Sequence, residues 1–426
     1  MNRIIRTTST AKPQESIRGA NRALLLKLVS DAPGIDRTLM AKLAGLTTPA
    51  VTRIAQELIC AKLLTETGSL KSEGRGRKRR GLKINAEGGC VLGVSVLAFN
   101  TGVTLSDLAG KTLARQEVFP SNLSDPVTTL DEIAAVAHKL ISENVTDPQR
   151  VLGLGAAIAG YLDTPGEIWE HSPYLGWPKF NIKRSLEQRF DVPIAIENVN
   201  RAIAVAETQI GTNHGSQNVV LIRAALGLGG AVLSGGVVSN GHNNQAGQVG
   251  HIPAQLDGKR CGCGKIGCLT TIASGLAVLE DLGLSHGPGN GLDDVQDRGE
   301  KLRGVLAAAC ASDISAIKAL TQAGTALGFY SSGPILLNDP ETVILTGPLG
   351  RDKTYSNMFT AQLRAAGVTA DIKTAHDHMI LQPADAAAGL ALSAHLFSST
   401  LNLAPLLEDR LILDQVSGSN TRMLVL

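Results

Sequence analysis

The chain has 426 residues, enough for two or three domains, with 43% hydrophobic residues, 3% aromatics and a formal net charge of +2. This describes an ordinary globular protein whose cores rest on Ala, Val, Leu and Ile, and the net charge names no partner. The first thirteen residues lack the apolar core of a signal peptide, and no apolar run reaches the ~18 residues of a membrane helix, so a cytoplasmic protein with no membrane span is expected.

Residues 1–84 differ in texture from the rest. Leu24, Leu25, Leu28 and Val29 fall at helical spacing, and Pro33-Gly34 breaks the run. Asp36 is expected to cap a second helix that ends before Gly45. Thr48 is expected to cap a third, with Pro49 in its first position and Val51, Ile54, Ala55, Leu58 and Ile59 as its apolar stripe. The opposite face carries Thr52, Arg53, Gln56 and Glu57. Three short helices with a tight glycine turn before the third predict a helix-turn-helix. Thr52, Arg53 and Gln56 would then lie near base edges and Thr47 or Thr48 near phosphate. A Gly-rich loop follows with six cations, Arg75, Arg77, Lys78, Arg79, Arg80 and Lys83, and Leu82 and Ile84 then start an apolar alternation. Placed between two short strands, this loop reads as a wing that neutralises phosphate, with Arg77 to Arg80 able to enter a minor groove.

From Gly89 onward the sequence turns to apolar strands separated by helical stretches. Strands are expected at 90–98, 150–159, 192–196, 219–223 and 342–345, and helices at 130–141, 183–190, 201–210 and 304–326. A small-residue helix is expected over 384–396, and the last thirty residues carry short apolar pieces with no assigned place. The alternation predicts an α/β fold with buried sheets.

The densest chemistry lies at His251 and Cys261-Gly-Cys263-Gly-Lys-Ile-Gly-Cys268. Cys-x-Cys-x4-Cys with a His upstream offers four soft-to-borderline ligands and leaves no position for water, the pattern of a structural zinc site. Cys60, Cys90 and Cys310 stand alone, as expected in a reducing compartment.

That loop resembles the zinc loop of the ROK (repressor, open reading frame, kinase) family, from Gly250-His251 through Gly267-Cys268, with Thr270 where the family has Glu. His171-Ser-Pro-Tyr-Leu-Gly-Trp177, Glu197-Asn198 and the stretch from Leu337 to Gly347 agree in order, and the resemblance covers about residues 17 to 397. It implies two actin-like (ribonuclease H-like) lobes hinged about a cleft. The expected division is a winged helix-turn-helix over 1–84, a first lobe over 85–205 joined by the helix near 384–397, a second lobe with the zinc loop over 206–383, and an extension over 398–426.

Kinases of the family need a carboxylate base and glycine-lined phosphate loops. The stretch that resembles the first loop reads Gly93-Val-Ser95-Val-Leu97-Ala98-Phe99, without the family's Asp or its paired glycines. The base motif reads Glu197-Asn198-Val199-Asn200-Arg201, with Val199 where the family has Asp. The second loop, Ala225-Leu226-Gly227-Leu228-Gly229-Gly230, lacks the Thr hydroxyl. No catalytic residue is therefore expected. The sugar-facing positions that the resemblance implies are Glu197, Asn198, Gln248, His251 and Thr270. The expected function is a repressor of carbohydrate uptake or catabolism genes, acting as a homodimer or homotetramer on a palindromic operator. Its effector would be a sugar, a sugar derivative or a protein partner. The alternative is an ATP-dependent sugar kinase with an appended DNA-binding domain.

Overall fold

Why the first eighty residues form a helical unit follows from their caps and stripes. The computed structural model describes residues 14–69, 80–98, 101–172, 175–285 and 292–407. Helix α1 (Gln14–Asp31), the short strand β1 (Ile35–Asp36), α2 (Arg37–Ala44) and α3 (Thr48–Cys60) precede strands β2 (Leu64–Ser69) and β3 (Arg80–Ile84). Asp36 accepts from the Thr38 and Leu39 backbone N–H groups at 2.8 and 3.0 Å, and Gly45 closes α2 with φ 65°. The cap of α3 is Thr47, one residue earlier than expected: its Oγ1 accepts from the Ala50 N–H at 3.4 Å. Either threonine could cap, and Pro49 is tolerated at either early position because no intrahelical partner is lost there. The three strands pair antiparallel in the order β1-β3-β2. Arg75, Arg77, Lys78 and Arg79 lie outside the described residues.

The core of this unit does not stop at its boundary. Leu25, Leu26, Met40, Val51, Leu58 and Leu82 belong to one buried cluster that continues into Val91, Leu152, Leu392 and Leu396, and then into Leu401, Leu403 and Leu406. Gly19 has no side chain, so the Ser399 carbonyl lies directly on α1 where a Cβ would collide with it. Arg150 ties the junction together. Its Nη1 donates to the carbonyls of Ala61 (3.3 Å) and Gly88 (2.8 Å), and its Nη2 to that of Leu406 (3.3 Å). Arg150→Ala is expected to cost roughly 2–4 kcal/mol, because three partly buried carbonyls lose a charged donor together. Arg150→Lys should recover little, since an ammonium cannot fork to three acceptors. Urea unfolding midpoints equal to the parent's for both variants would contradict this.

The next unit is built on a five-stranded sheet. Strands β4 (Cys90–Val96), β5 (Gly102–Asp107) and β6 (Thr112–Glu117) precede α4 (Pro126–Asn144) and β7 (Val151–Ile158). The small strands β8 (Tyr161–Leu162), β9 (Ile168–His171) and β10 (Phe180–Asn181) form a separate sheet, followed by α5 (Ile182–Glu187), β11 (Ile194–Asn198) and α6 (Val199–Gln209). The large sheet runs β11-β7-β4-β5-β6. Its second unit carries β12 (Val219–Ala224), β13 (Leu228–Ser234), β14 (Val237–Val238), α7 (Thr270–Ala273) and α8 (Gly275–Asp281). After these come α9 (Leu292–Cys310), α10 (Ile314–Asn338), β15 (Thr342–Thr346), α11 (Lys353–Ala365) and β16 (Asp371–Thr374), with sheet order β14-β13-β12-β15-β16.

All five expected strands are present within a few residues. The helix expected over 304–326 is two helices, because Ser312 (φ 71°) turns the chain and Asp313 starts α10 by accepting from the Ala316 N–H at 2.8 Å. Helix α12 (Pro383–Ala391), continued by a π-turn over Leu392–Leu396, packs on the first large sheet. Gly93 and Gly155 make that packing close: a Cβ on either would strike the α12 backbone. The helix is small-residue for the same reason. Among the described residues no single helix is long and apolar enough to cross a membrane.

Candidate functional site

Thr47, Thr48, Thr52, Arg53 and Gln56 are all exposed, while Val51, Ile54, Ala55 and Leu58 are buried. The fold therefore turns one polar face of α3 outward, and Thr48, Thr52, Arg53 and Gln56 line an open groove along it. Arg80, at the start of β3, pairs with Glu66 at 2.7 Å, and Glu66 also takes Arg37 at 2.8 Å. Hydrogen bonds from Arg80 and then Arg37 hold the Glu66 carboxyl below its ordinary range. Arg80 is thus shared with a carboxylate, although 67% of its side chain is exposed.

Between the two large sheets lies a cleft of about 260 Å3. Leu97, Ala98, Ala159 and Gly160 line it from the first sheet, and Arg223 and residues 225–229 from the second. Asn198, Gln248, His251 and Thr270 also line it, so four of the five implied sugar-facing residues converge. Asn198 caps α6, its Oδ1 accepting from the Asn200 N–H (2.9 Å) while its Nδ2 donates to the Gly160 carbonyl (2.8 Å). Gln248 accepts from the Tyr161 hydroxyl at 3.1 Å, and Thr270 donates to the Gly250 carbonyl at 2.8 Å. The fifth, Glu197, is not among the lining residues. Its carboxylate is taken by Arg201 at 2.6 Å and by the Asn198 N–H at 2.7 Å.

Sequence reasoning left out Tyr161, His171, Asn200 and Arg223. Tyr161 and His171 stack at 4.4 Å on one wall, and burial raises the Tyr161 hydroxyl above its usual range. No local pattern could have brought these four together, although His171, Asn200 and Arg223 each lay in a stretch noted beforehand.

The cysteine loop forms the adjoining wall. Gly264 (φ 88°) and Gly267 (φ 70°) take left-handed conformations, and a Cβ on Gly267 would strike the Gln255 carbonyl. His251 Nδ1 lies 3.7 Å from Cys261 Sγ, and Cys263 Sγ lies 3.6 Å from Cys268 Sγ. All four donor atoms fall within 4.8 Å of one another. Ligands at ~2.0–2.3 Å on a tetrahedral ion sit roughly 3.5–3.8 Å apart, so both distances fit a tetrahedron's edges, and none of the three cysteines is in a disulfide. Burial lowers His251's affinity for a proton, with Lys265 adding to it, which favours the neutral imidazole that binds a metal. Desolvation pushes Cys268 up to about 12. Three crowded thiols with a neutral imidazole are the donor set of a cation site, and Lys259 pins the loop to Glu280 of α8 at 2.7 Å.

The ROK family model matches residues 91–391. The chain belongs to the ROK family. It is 26% identical over 334 residues to the xylose repressor of Bacillus subtilis, covering 78% of this chain and 83% of that one. To the DNA-binding transcriptional dual regulator NagC of Escherichia coli it is 26% identical over 341 residues, covering 78% and 81%. The crystal structure of a ROK family transcriptional regulator, a homologue of the E. coli MLC protein, matches it with TM-score 0.73 at 23% identity, over 92% of this chain and all of that one; this likeness is one of fold.

Set in the ROK fold, the cleft departs from the kinase motifs of the family. Among its described lining residues there is no Asp or Glu, and Val199 stands in the first turn of α6 where a base would be needed. Ser95 is buried inside β4, and the Leu97 N–H and carbonyl are both taken by the Thr101 hydroxyl at 3.3 and 2.7 Å. Leu226 and Leu228 fill the second ROK loop with side chains. Phe99 lies outside the described residues.

Proposed function

We propose that this ROK protein is a sequence-specific DNA-binding regulator, a repressor of carbohydrate uptake or catabolism genes whose kinase-like cleft senses a ligand and does not phosphorylate it. One observation carries the reading: α3 turns a polar face outward from a core that runs without interruption into the unit bearing a cleft with no Asp or Glu among its described lining residues. The relatives named as a xylose repressor and as a DNA-binding dual regulator support it.

In this reading residues 1–84 are a winged helix-turn-helix and α3 enters the major groove. Arg53 and Gln56 read base edges, Thr52 lies beside them, and Thr47 and Thr48 face phosphate. The stretch from Arg75 to Arg80 supplies the wing. A single head buries too little surface for high specificity, so the protein acts as a symmetric homodimer or homotetramer on a palindromic operator in the cytoplasm. The effector is a sugar or sugar derivative, held by hydrogen bonds from Asn198, Gln248, His251 and Thr270, with Glu197 acting from behind through Arg201. Among the described lining residues Arg223 is the one with a formal charge and none is Asp or Glu, which lowers the repulsion that an anionic sugar would meet. His251, Cys261, Cys263 and Cys268 would hold a structural zinc, which supplies loop rigidity. Binding shifts the protein between two states by its differential affinity for them.

Selection from a random-sequence duplex pool tests the DNA reading. The chain is expected to enrich a palindromic site, and recovery of no sequence preference would overturn it. Phosphoryl transfer from ATP to a sugar panel is expected to be undetectable. A sugar phosphate whose formation is lost on Asn198→Ala would reverse the non-enzymatic reading.

A further inference from the structure

We propose that α6 is the mechanical link between the cleft and the N-terminal unit, a rod whose first turn sits in the cleft and whose far end grips α1. This rests on the regulatory reading above and adds the route by which occupancy would reach the DNA-binding surface.

At the cleft end, Asn198 caps the helix, and Val199 and Asn200 line the cavity. The Asn200 side chain covers Gly229 of β13, at a point where a Cβ on Gly229 would collide with it. Arg201, only 3% exposed, holds Glu197 and donates to the Asn244 carbonyl at 3.2 Å. Asn244 in turn donates to the carbonyls of Leu162 (3.1 Å) and Asp163 (2.9 Å). The first turn of α6 and its cap therefore touch β11, Gly160, β13 and the loop carrying Asn244, which itself holds Leu162 and Asp163. These belong to both sides of the cleft, so a ligand that changes its width must displace this turn.

At the other end, Gln209 Oε1 accepts from Lys27 Nζ of α1 at 2.7 Å. Lys27 pairs with Asp31 at 2.7 Å and stands 5.7 Å over the Phe397 ring. His214, just past the helix, meets Asp31 at 3.2 Å. Ile210 packs against the cluster that holds α1. The buried Glu207 fixes this end, accepting from the Leu381 N–H at 2.6 Å and from Asn213 at 2.9 Å.

Between its ends the rod is enclosed. Ala202, Ile203, Ala204 and Ala206 are buried, and Gly389 of α12 lets α6 approach so closely that a Cβ there would clash with Ala206. A helix packed this tightly moves as a unit and does not bend, because close-packed interiors transmit displacement. Its eleven residues span about 16 Å, the distance over which the cleft would act on α1.

The test is a double-mutant cycle on the full-length protein, read by amide hydrogen exchange along α1. Gly229→Ala pushes Asn200 aside and mimics a change at the cleft end. It is expected to alter exchange in α1 by about fivefold or more. With Gln209→Ala and His214→Ala together, which leave only the apolar Ile210 contact of this end, the same cleft substitution is expected to change α1 markedly less. Asn200→Ala perturbs the same point without added bulk and replaces Gly229→Ala if that variant fails to fold. An absent response in α1, or an equal response with and without the Gln209 and His214 contacts, overturns the rod. Failure of the wild-type chain to select any duplex would instead sink the DNA reading, while the exchange cycle still judges the rod.

Discussion

One zinc per chain is the expected result of elemental analysis on protein purified without chelator, and Cys263→Ser is expected to return none. The two distances near 3.7 Å match tetrahedral edges, and all four donor atoms lie within 4.8 Å of one another. Cys263 is the exposed member of the set, so its loss opens the site without putting a polar group into the core. The consequence should nevertheless reach the core. Cys268 is buried beside Leu269, which belongs to the second sheet's apolar cluster, and Cys261 is buried too. Without the ion, crowded thiols remain in a loop held mainly by glycine turns, and the second unit is expected to lose several kcal/mol. Zinc-free wild type, or a Cys263→Ser variant with full zinc and unchanged unfolding, would refute the assignment.

Affinity measured against salt concentration should separate the two halves of the proposed DNA surface. Arg53→Ala removes an exposed cation from the outward face of α3. It is expected to narrow the gap between selected and random duplexes by about 1–3 kcal/mol, the worth of one base contact. Changing Arg77, Lys78, Arg79 and Arg80 together to Ala should weaken binding to every duplex. Four phosphate contacts would flatten the salt slope by roughly 3.6, at about 0.9 each. Arg80 already serves Glu66, so a loss nearer roughly 2.7 is expected, as from three contacts. A wing variant with the wild-type slope would mean that the basic stretch is only a connector.

What could be read in the sequence was what is local. The cysteine loop is one short stretch whose spacing alone brings its thiols together. The strands at 90, 151, 219 and 342 announce themselves as apolar runs, because both of their faces are covered. Strand β5 was missed for the opposite reason. It carries Thr104, Ser106 and Asp107, all buried: Thr104 finds a distant partner in Asp385, which Arg115 also reaches, while Asp107 accepts from the Ala109 and Lys111 N–H groups of the turn that follows. Glu197 was placed correctly in the chain but not in the cleft, since its partner Arg201 sits one helical turn on and draws the carboxylate away. Tyr161 and His171 pair across the β8–β9 hairpin and Arg223 comes from β12, so the three line one cleft only once both large sheets have folded. The pieces at 401–406 had no assigned place because the surface they cover belongs to the opposite end of the chain.

That last feature bears on the order of events during synthesis. A ribosome finishes the three helices of the N-terminal unit long before it reaches Phe397, Ser399 and Leu406. Until then the groove along Gly19 is uncovered and Arg150 lacks one of its acceptors. A nascent or truncated chain would thus emerge with its α3 face formed but its support incomplete. The segment at 397–406 therefore completes the seat of the N-terminal unit, and that unit gains its full support only after both sheets have been made.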